Sequence, residues 1–233
     1  FTYKIKIMKR FGFAPNEHYH VLNRGNNKQI IFLNDKDKIR FLYLILLFQS
    51  PVLIKNIKEI IDSSPYPLQH PMLQGGDDIT NDIVSTRYVE LECFILMPNH
   101  FHLLVHEIKE GGVARYMQRV LNAYTKYFNT RYERSGHLLQ GPYKAVHIKN
   151  NNQLLYLSTY IHRNSRELLR WRGKESSYPW SSYPDFIGNN RWNKLLKHDL
   201  ITGQFNNEED YRRFTDESTA KISKHIKSEL LID

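Results

Sequence analysis

The chain has 233 residues, a single cysteine, 13% aromatic residues and a formal net charge of +9. That length buries a sizeable core in one domain with an appendage, and the lone Cys93 excludes an internal disulfide framework and fits a reducing compartment. The positive balance points to a polyanionic partner, with nucleic acid favoured over an acidic membrane surface. The longest apolar run, residues 39–48, contains Arg40 and is only about half a membrane span. The N-terminal FTYKIKIMKR lacks the form of a secretory signal, so a cytoplasmic, nucleoid-associated location is expected.

In chain order, EHYHVLNRGNN reads as a strand over Tyr19 to Asn23 ending in a turn at Arg24-Gly25-Asn26-Asn27, where Gly and Asn tolerate positive φ. Asp35 opens a helix with Ile39, Leu42, Tyr43, Leu46 and Leu47 on one stripe. Residues 49–84, with four prolines and QGGDD, read as an irregular insertion holding one short helix around Ile57 to Ile61. Two strands, RYVELECFIL and HFHLLVHE, follow as a hairpin about Met97-Pro98-Asn99. The period of two places His100 and His102 on one face of the second strand, with Phe101, Leu103 and Val105 on the other.

Residues 112–132 form the next helix, with Met117, Val120, Leu121, Tyr124 and Phe128 on its apolar face. Arg115, Arg119, Asn122 and Lys126 share another face, open to two readings: a solvated surface or a set of phosphate contacts. GPYKAVHIKN is a fourth strand, and Asn150 or Asn151 caps a helix running through LLYLSTYIHRN. The order β-α-β-β-α-β-α implies an α+β fold, a ferredoxin-like or RRM-like antiparallel sheet with helices on one face and one additional helix at the end. Residues 1–168 are expected to be the functional domain. Residues 169–233, with YPWSSYPDFIG and a charged tail from Asn207, form a partly helical extension.

Two imidazoles on one strand face are two-thirds of a small metal site, although a His-x-His pair taken alone also fits ordinary structural histidines. The terminal helix supplies a third group: Tyr160 and Asn164 in YIHRN are four residues apart and share a helical face. A phenol, with a reference pKa of about 10, needs a nearby cation to attack a phosphate at neutral pH. His18 and His20 form a second His-x-His, read as structural or DNA-contacting. Tyr124 and Tyr127 are rival nucleophiles; Tyr124 continues the apolar stripe and Tyr127 has Arg131 four residues on, so both read as packing residues. Trp180 reads as a packing anchor, with a base-stacking platform as the alternative.

These residues resemble the HUH single-strand endonucleases, and more closely the single-tyrosine transposases of the REP-associated group. Beside MPNHFHLLV, the segments YHVLNRGNN, RYERSGHLLQGPYK, TYIHRN and YPWSSY resemble that group in the same order, from Tyr19 to Phe186 and interrupted only before Arg87. The resemblance implies a nuclease and strand transferase acting on single-stranded DNA hairpins of REP type as monomer or homodimer. It assigns Tyr160 as the nucleophile of a 5′-phosphotyrosine intermediate, and His100, His102 and Asn164 as ligands of a divalent ion, Mg²⁺ or Mn²⁺. Asn23, Arg24, Gly25 and Asn26 are the candidate phosphate or base-binding loop, alternatively an ordinary turn, with Arg115, Arg119, Lys126, Arg134 and Lys144 as further DNA contacts. Pro142 and Ser165 depart from the arginine and proline usual in relatives. Two other functions compete: an HUH replication initiator or relaxase, and a non-catalytic RRM-like single-strand binder, for which paired strand aromatics are lacking.

Overall fold

The computed structural model describes residues 12–55, 57, 59 and 78–218. Four strands, β1 (His18–Arg24), β2 (Val89–Met97), β3 (His100–Glu107) and β4 (Lys144–Ile148), form one antiparallel sheet in the order β2-β3-β1-β4. Helices α1 (Asp35–Leu47) and α3 (Gly112–Arg131) cross one face; between them in sequence lies α2 (Asp78–Thr86). This is the βαββαβ arrangement expected, a mixed α+β fold.

Helix α1 starts where Asn34 caps Asp37 and the Asp37 side chain returns the bond, a reciprocal box that satisfies two orphan amides. Its Phe41 ring lies 4.8 Å from Phe101 of β3 and 5.0 Å from Tyr124 of α3. The odd-numbered side chains of β3, Phe101, Leu103 and Val105, thus point toward α1 and α3 and are fully buried. Helix α4 (Asn151–Arg163), capped by Asn150, covers the opposite face. There the Tyr160 ring stands edge-on to His102 at 5.4 Å and His162 lies 3.1 Å from the Cys93 sulfur of β2. Helices therefore occupy both faces of the sheet, and the additional helix expected at the end is the one that takes the second face.

The insertion expected to be irregular over 49–84 contains the first turns of α2, whose Ile83 is buried. The helix expected around Ile57 to Ile61 lies largely outside the described residues. Among the described residues the charged tail from Asn207 forms a helix, α5 (Glu208–Glu217), which docks Tyr211 into the core beside α4. Glu208, Glu209 and Asp210 sit in its first turn, where they oppose the positive end of the helix dipole. The charge pattern was thus a helical surface, with Tyr211 its anchor. Among the described residues no helix is long and apolar enough to cross a membrane.

Candidate active site

The polar groups of the sheet gather on the α4 face because β1 and β3 are in matched register: Arg24 pairs with His100, Leu22 with His102, and Lys144 of β4 with Leu22. With side chains alternating, Arg24, Lys144, His100 and His102 project to the same side. The C-terminal end of α4 brings Tyr160 and Asn164 over them. Together with Glu167 at the rim, these side chains line a cavity of about 430 Å³.

Asn164 Oδ1 lies 3.1 Å from His100 Nε2, and the other nitrogen of that ring, Nδ1, lies 2.7 Å from Asn99 Oδ1. His102 is buried, with Nδ1 2.9 Å from Nε2 of His20. Burial, and then the cost of a second positive charge beside His20, His100 and Arg24, holds the His102 pKa well below the ordinary imidazole value. The ring is therefore neutral at physiological pH, the form that offers a lone pair to a cation.

This donor set suits a divalent ion. Asn99 Oδ1 is an acceptor, so His100 donates Nδ1–H to it and presents the Nε2 lone pair to the amide oxygen of Asn164. Two lone pairs at 3.1 Å repel unless a proton or a cation stands between them. Among the described residues no group of three or more His, Cys, Asp or Glu side chains is placed to hold a metal; the arrangement here consists of two imidazoles and one amide.

The turn that presents His100 is itself built by the Arg24–Asn27 loop. Gly25 N–H donates to Asn99 O at 2.8 Å, and the amides of Ile31 and Phe32 donate to Pro98 O at 2.9 and 3.1 Å. A Cβ on Gly25 would stand 2.1 Å from Gln29 O, so only glycine fits there. Asn23 spends its amide on Gly141 O at 3.3 Å and on the Arg24 N–H at 2.8 Å. Asn26 N–H bonds Leu138 O. Asn23 and Arg24 line the cavity, whereas the backbone of Gly25 and Asn26 braces its walls.

The α3 residues proposed from periodicity do not join this site. Arg115, Arg119 and Lys126 belong to a helix on the other face of the sheet. Arg119 is committed to backbone: its guanidinium bonds Ser50 O, Val52 O at 3.2 Å and the Tyr88 hydroxyl at 3.0 Å, over the Phe48 ring. Arg115 bonds Glu110 O, and Arg134 bonds Gln29 across the Phe128 ring. Lys126 is exposed.

Both rival tyrosines lie on that far side as well. Tyr124 is buried with its hydroxyl on Ile31 O, and Tyr127 donates to Asp37 at 3.0 Å. Burial, then the Asp37 charge, pushes the Tyr127 phenol up to about 12, further from ionisation than a free tyrosine. Trp180 is buried, its backbone carbonyl holding Leu96 N–H at 2.8 Å. Pro142 lines the cavity, and Ser165 lies in the 3₁₀ turn Asn164–Glu167 that follows α4.

Sequence reasoning missed Asn99 and Glu167, and left His20 without a specific partner. The second His-x-His was the available signal for His20, since its strand pairs directly with that of His102.

A second network fixes α4. His162, fully buried two residues after Tyr160, has Nδ1 2.8 Å from the Tyr211 hydroxyl and Nε2 2.9 Å from Ser182 Oγ. Tyr211 donates to Ser158 Oγ at 3.0 Å, and Arg163 Nη1 reaches Thr215 O and Asp216 O, both at 2.5 Å. The extension thus braces the helix that carries Tyr160 and Asn164.

Comparison with known proteins gives a family for this region. The model of the family described as IS200-like transposase matches residues 68–164. No curated protein matches the chain. Among solved structures, a REP-associated tyrosine transposase bound to a REP hairpin aligns over 83% of this chain and 92% of its own, at 13% identity and a TM-score of 0.46. The stretch similar to that family, residues 68–164, holds both cavity histidines, Tyr160 and Asn164.

Proposed function

We propose that the chain cleaves and rejoins single-stranded DNA beside a folded hairpin, with Tyr160 as nucleophile and a divalent ion, Mg²⁺ or Mn²⁺, held by His100, His102 and Asn164. The observation that carries this reading is the convergence of those four side chains with Arg24 and Lys144 on one cavity. The hairpin comes from the sequence resemblance set out above. Residues 1–168 supply the chemistry in this reading, and Ser182, Tyr211, Thr215 and Asp216 of the extension brace α4.

The Tyr160 phenol oxygen attacks a backbone phosphorus. An O–P bond to tyrosine forms, the P–O3′ bond breaks, and the proton lost by the phenol is accounted for on the leaving 3′-oxygen. The ester keeps the energy of the broken linkage, so a second 3′-hydroxyl reverses the step and joins a new strand without ATP. Arg24 and Lys144 neutralise and position the phosphate. The bound ion would supply Lewis-acid polarisation of a nonbridging oxygen. A passive RRM-like binder is less well supported, because α4 covers the sheet face that such a protein leaves open to bases.

The test is incubation with a library of labelled single-stranded hairpins and Mn²⁺, followed by denaturing electrophoresis. Wild type should give a covalent protein–DNA adduct. Tyr160→Phe should bind the same hairpins with similar affinity and give none. An adduct that persists in Tyr160→Phe overturns the assignment.

A further inference from the structure

We infer that His20, from the second His-x-His of the chain, is a positioning residue that fixes the ring and tautomer of His102. His20 is fully buried in β1, a diagonal neighbour of His102 across the β1–β3 pair. The two rings stack at 5.1 Å and 23°, with His20 Nε2 2.9 Å from His102 Nδ1. His18, two residues earlier on the same face, does not line the cavity and is bound to Glu92 at 2.8 Å.

The 2.9 Å contact holds one proton, and its owner decides what His102 can do. With His20 as donor, neutral His102 carries its own proton on Nε2 and has no lone pair there. With His102 as donor, Nε2 is left with the lone pair, as a metal ligand requires. His100 is held in the same sense by Asn99, with Nδ1 as donor and Nε2 facing Asn164. A cavity whose two histidines act together therefore needs His20 as the acceptor, its own proton on Nδ1. The choice of tautomer rests on the ligand role of His102 in the function proposed above, and it can be read without metal.

Ring ¹⁵N shifts of His102 in metal-free wild-type protein read the tautomer directly and should show Nδ1 protonated and Nε2 bare. Two variants separate positioning from packing: His20→Gln keeps an acceptor, whereas His20→Phe keeps a stacked ring without one. Mn²⁺ affinity, followed by electron paramagnetic resonance, should stay near wild type in His20→Gln and fall about 10- to 100-fold in His20→Phe. The His102 shifts should move only in His20→Phe. A wild-type His102 protonated on Nε2 overturns the inference whether or not either variant folds. Equal losses in both variants, or none in either, overturn it as well. Wild type that takes up no Mn²⁺ sinks the metal reading instead, and the ring shifts still decide the role of His20.

Discussion

Tyr211→Phe removes one oxygen from the centre of the network behind α4, and its cost follows from the bonds that oxygen makes. The Tyr211 hydroxyl has one proton and gives it to Ser158, so the 2.8 Å contact with His162 is an Nδ1–H donated to the phenol oxygen. The opposite nitrogen then accepts from Ser182 or Cys93, at 2.9 and 3.1 Å. Phenylalanine keeps the ring and strands the His162 donor in a fully buried place, an orphaning that costs about 1–3 kcal/mol. A chain of this size loses about 2–4 °C of melting temperature per kcal/mol, so the midpoint should fall by roughly 2–12 °C. Urea unfolding of the wild type, Tyr211→Phe, His162→Phe and the double variant closes a thermodynamic cycle. Because both residues share one bond, their coupling should reach about 1 kcal/mol or more. Hairpin cleavage by Tyr211→Phe should slow without loss of hairpin affinity, since the change lies behind Tyr160. Additive effects in the cycle would refute the shared network, and an unaltered cleavage rate would refute its link to the nucleophile.

Other consequences can be measured in parallel. Gly25→Ala should destabilise the protein by roughly 2 kcal/mol or more and impair Mn²⁺ binding, since its Cβ collides with Gln29 O in the loop that holds the His100 turn; calorimetry and metal titration check this. Arg24→Ala should lower the magnitude of the log–log salt slope of hairpin binding by about 0.7, whereas Arg119→Ala should leave the slope alone and lower the melting temperature; equal slopes for the two variants would contradict the placement of Arg119. Burial, then the His198 charge, holds the His162 pKa well below its unfolded value of about 6.5. Its contribution is therefore intact above that pH and is lost as pH falls toward the folded pKa, at about 1.4 kcal/mol per unit. Denaturation at pH 7.5 and 5.5 should show that loss in wild type and a shallower one in His162→Gln.

Much of the fold was written locally. The alternation of HFHLLVHE and the stripe through Leu42 and Leu46 each fix a strand or helix and the face it buries, and the sheet follows from their order. The cavity was legible for a related reason: a period of two joins His100 to His102, and one helical turn joins Tyr160 to Asn164. What stayed hidden depends on the packing of distant segments. Periodicity gave α3 a basic face but not the side of the sheet it would take, so it could not show that Arg115, Arg119 and Lys126 lie across the sheet from the cavity. His20 needed the β1–β3 register before it had a partner. In the tail from Asn207, the charged residues masked Tyr211, a single buried ring whose value comes from His162 and Ser158.

Cys93 is the only cysteine in the chain, and it sits where β2 meets α4, fully buried, its thiol pushed far above the ordinary range by burial. In the closed protein it has neither the access nor the thiolate to react. It serves as a built-in clock: the rate at which a thiol reagent reaches it reports how often α4 lifts from β2, with no engineered probe. The same silence makes the wild-type chain a clean background for labelling. A cysteine placed at exposed Lys126 would take a dye at once, leaving Cys93 to report only on opening.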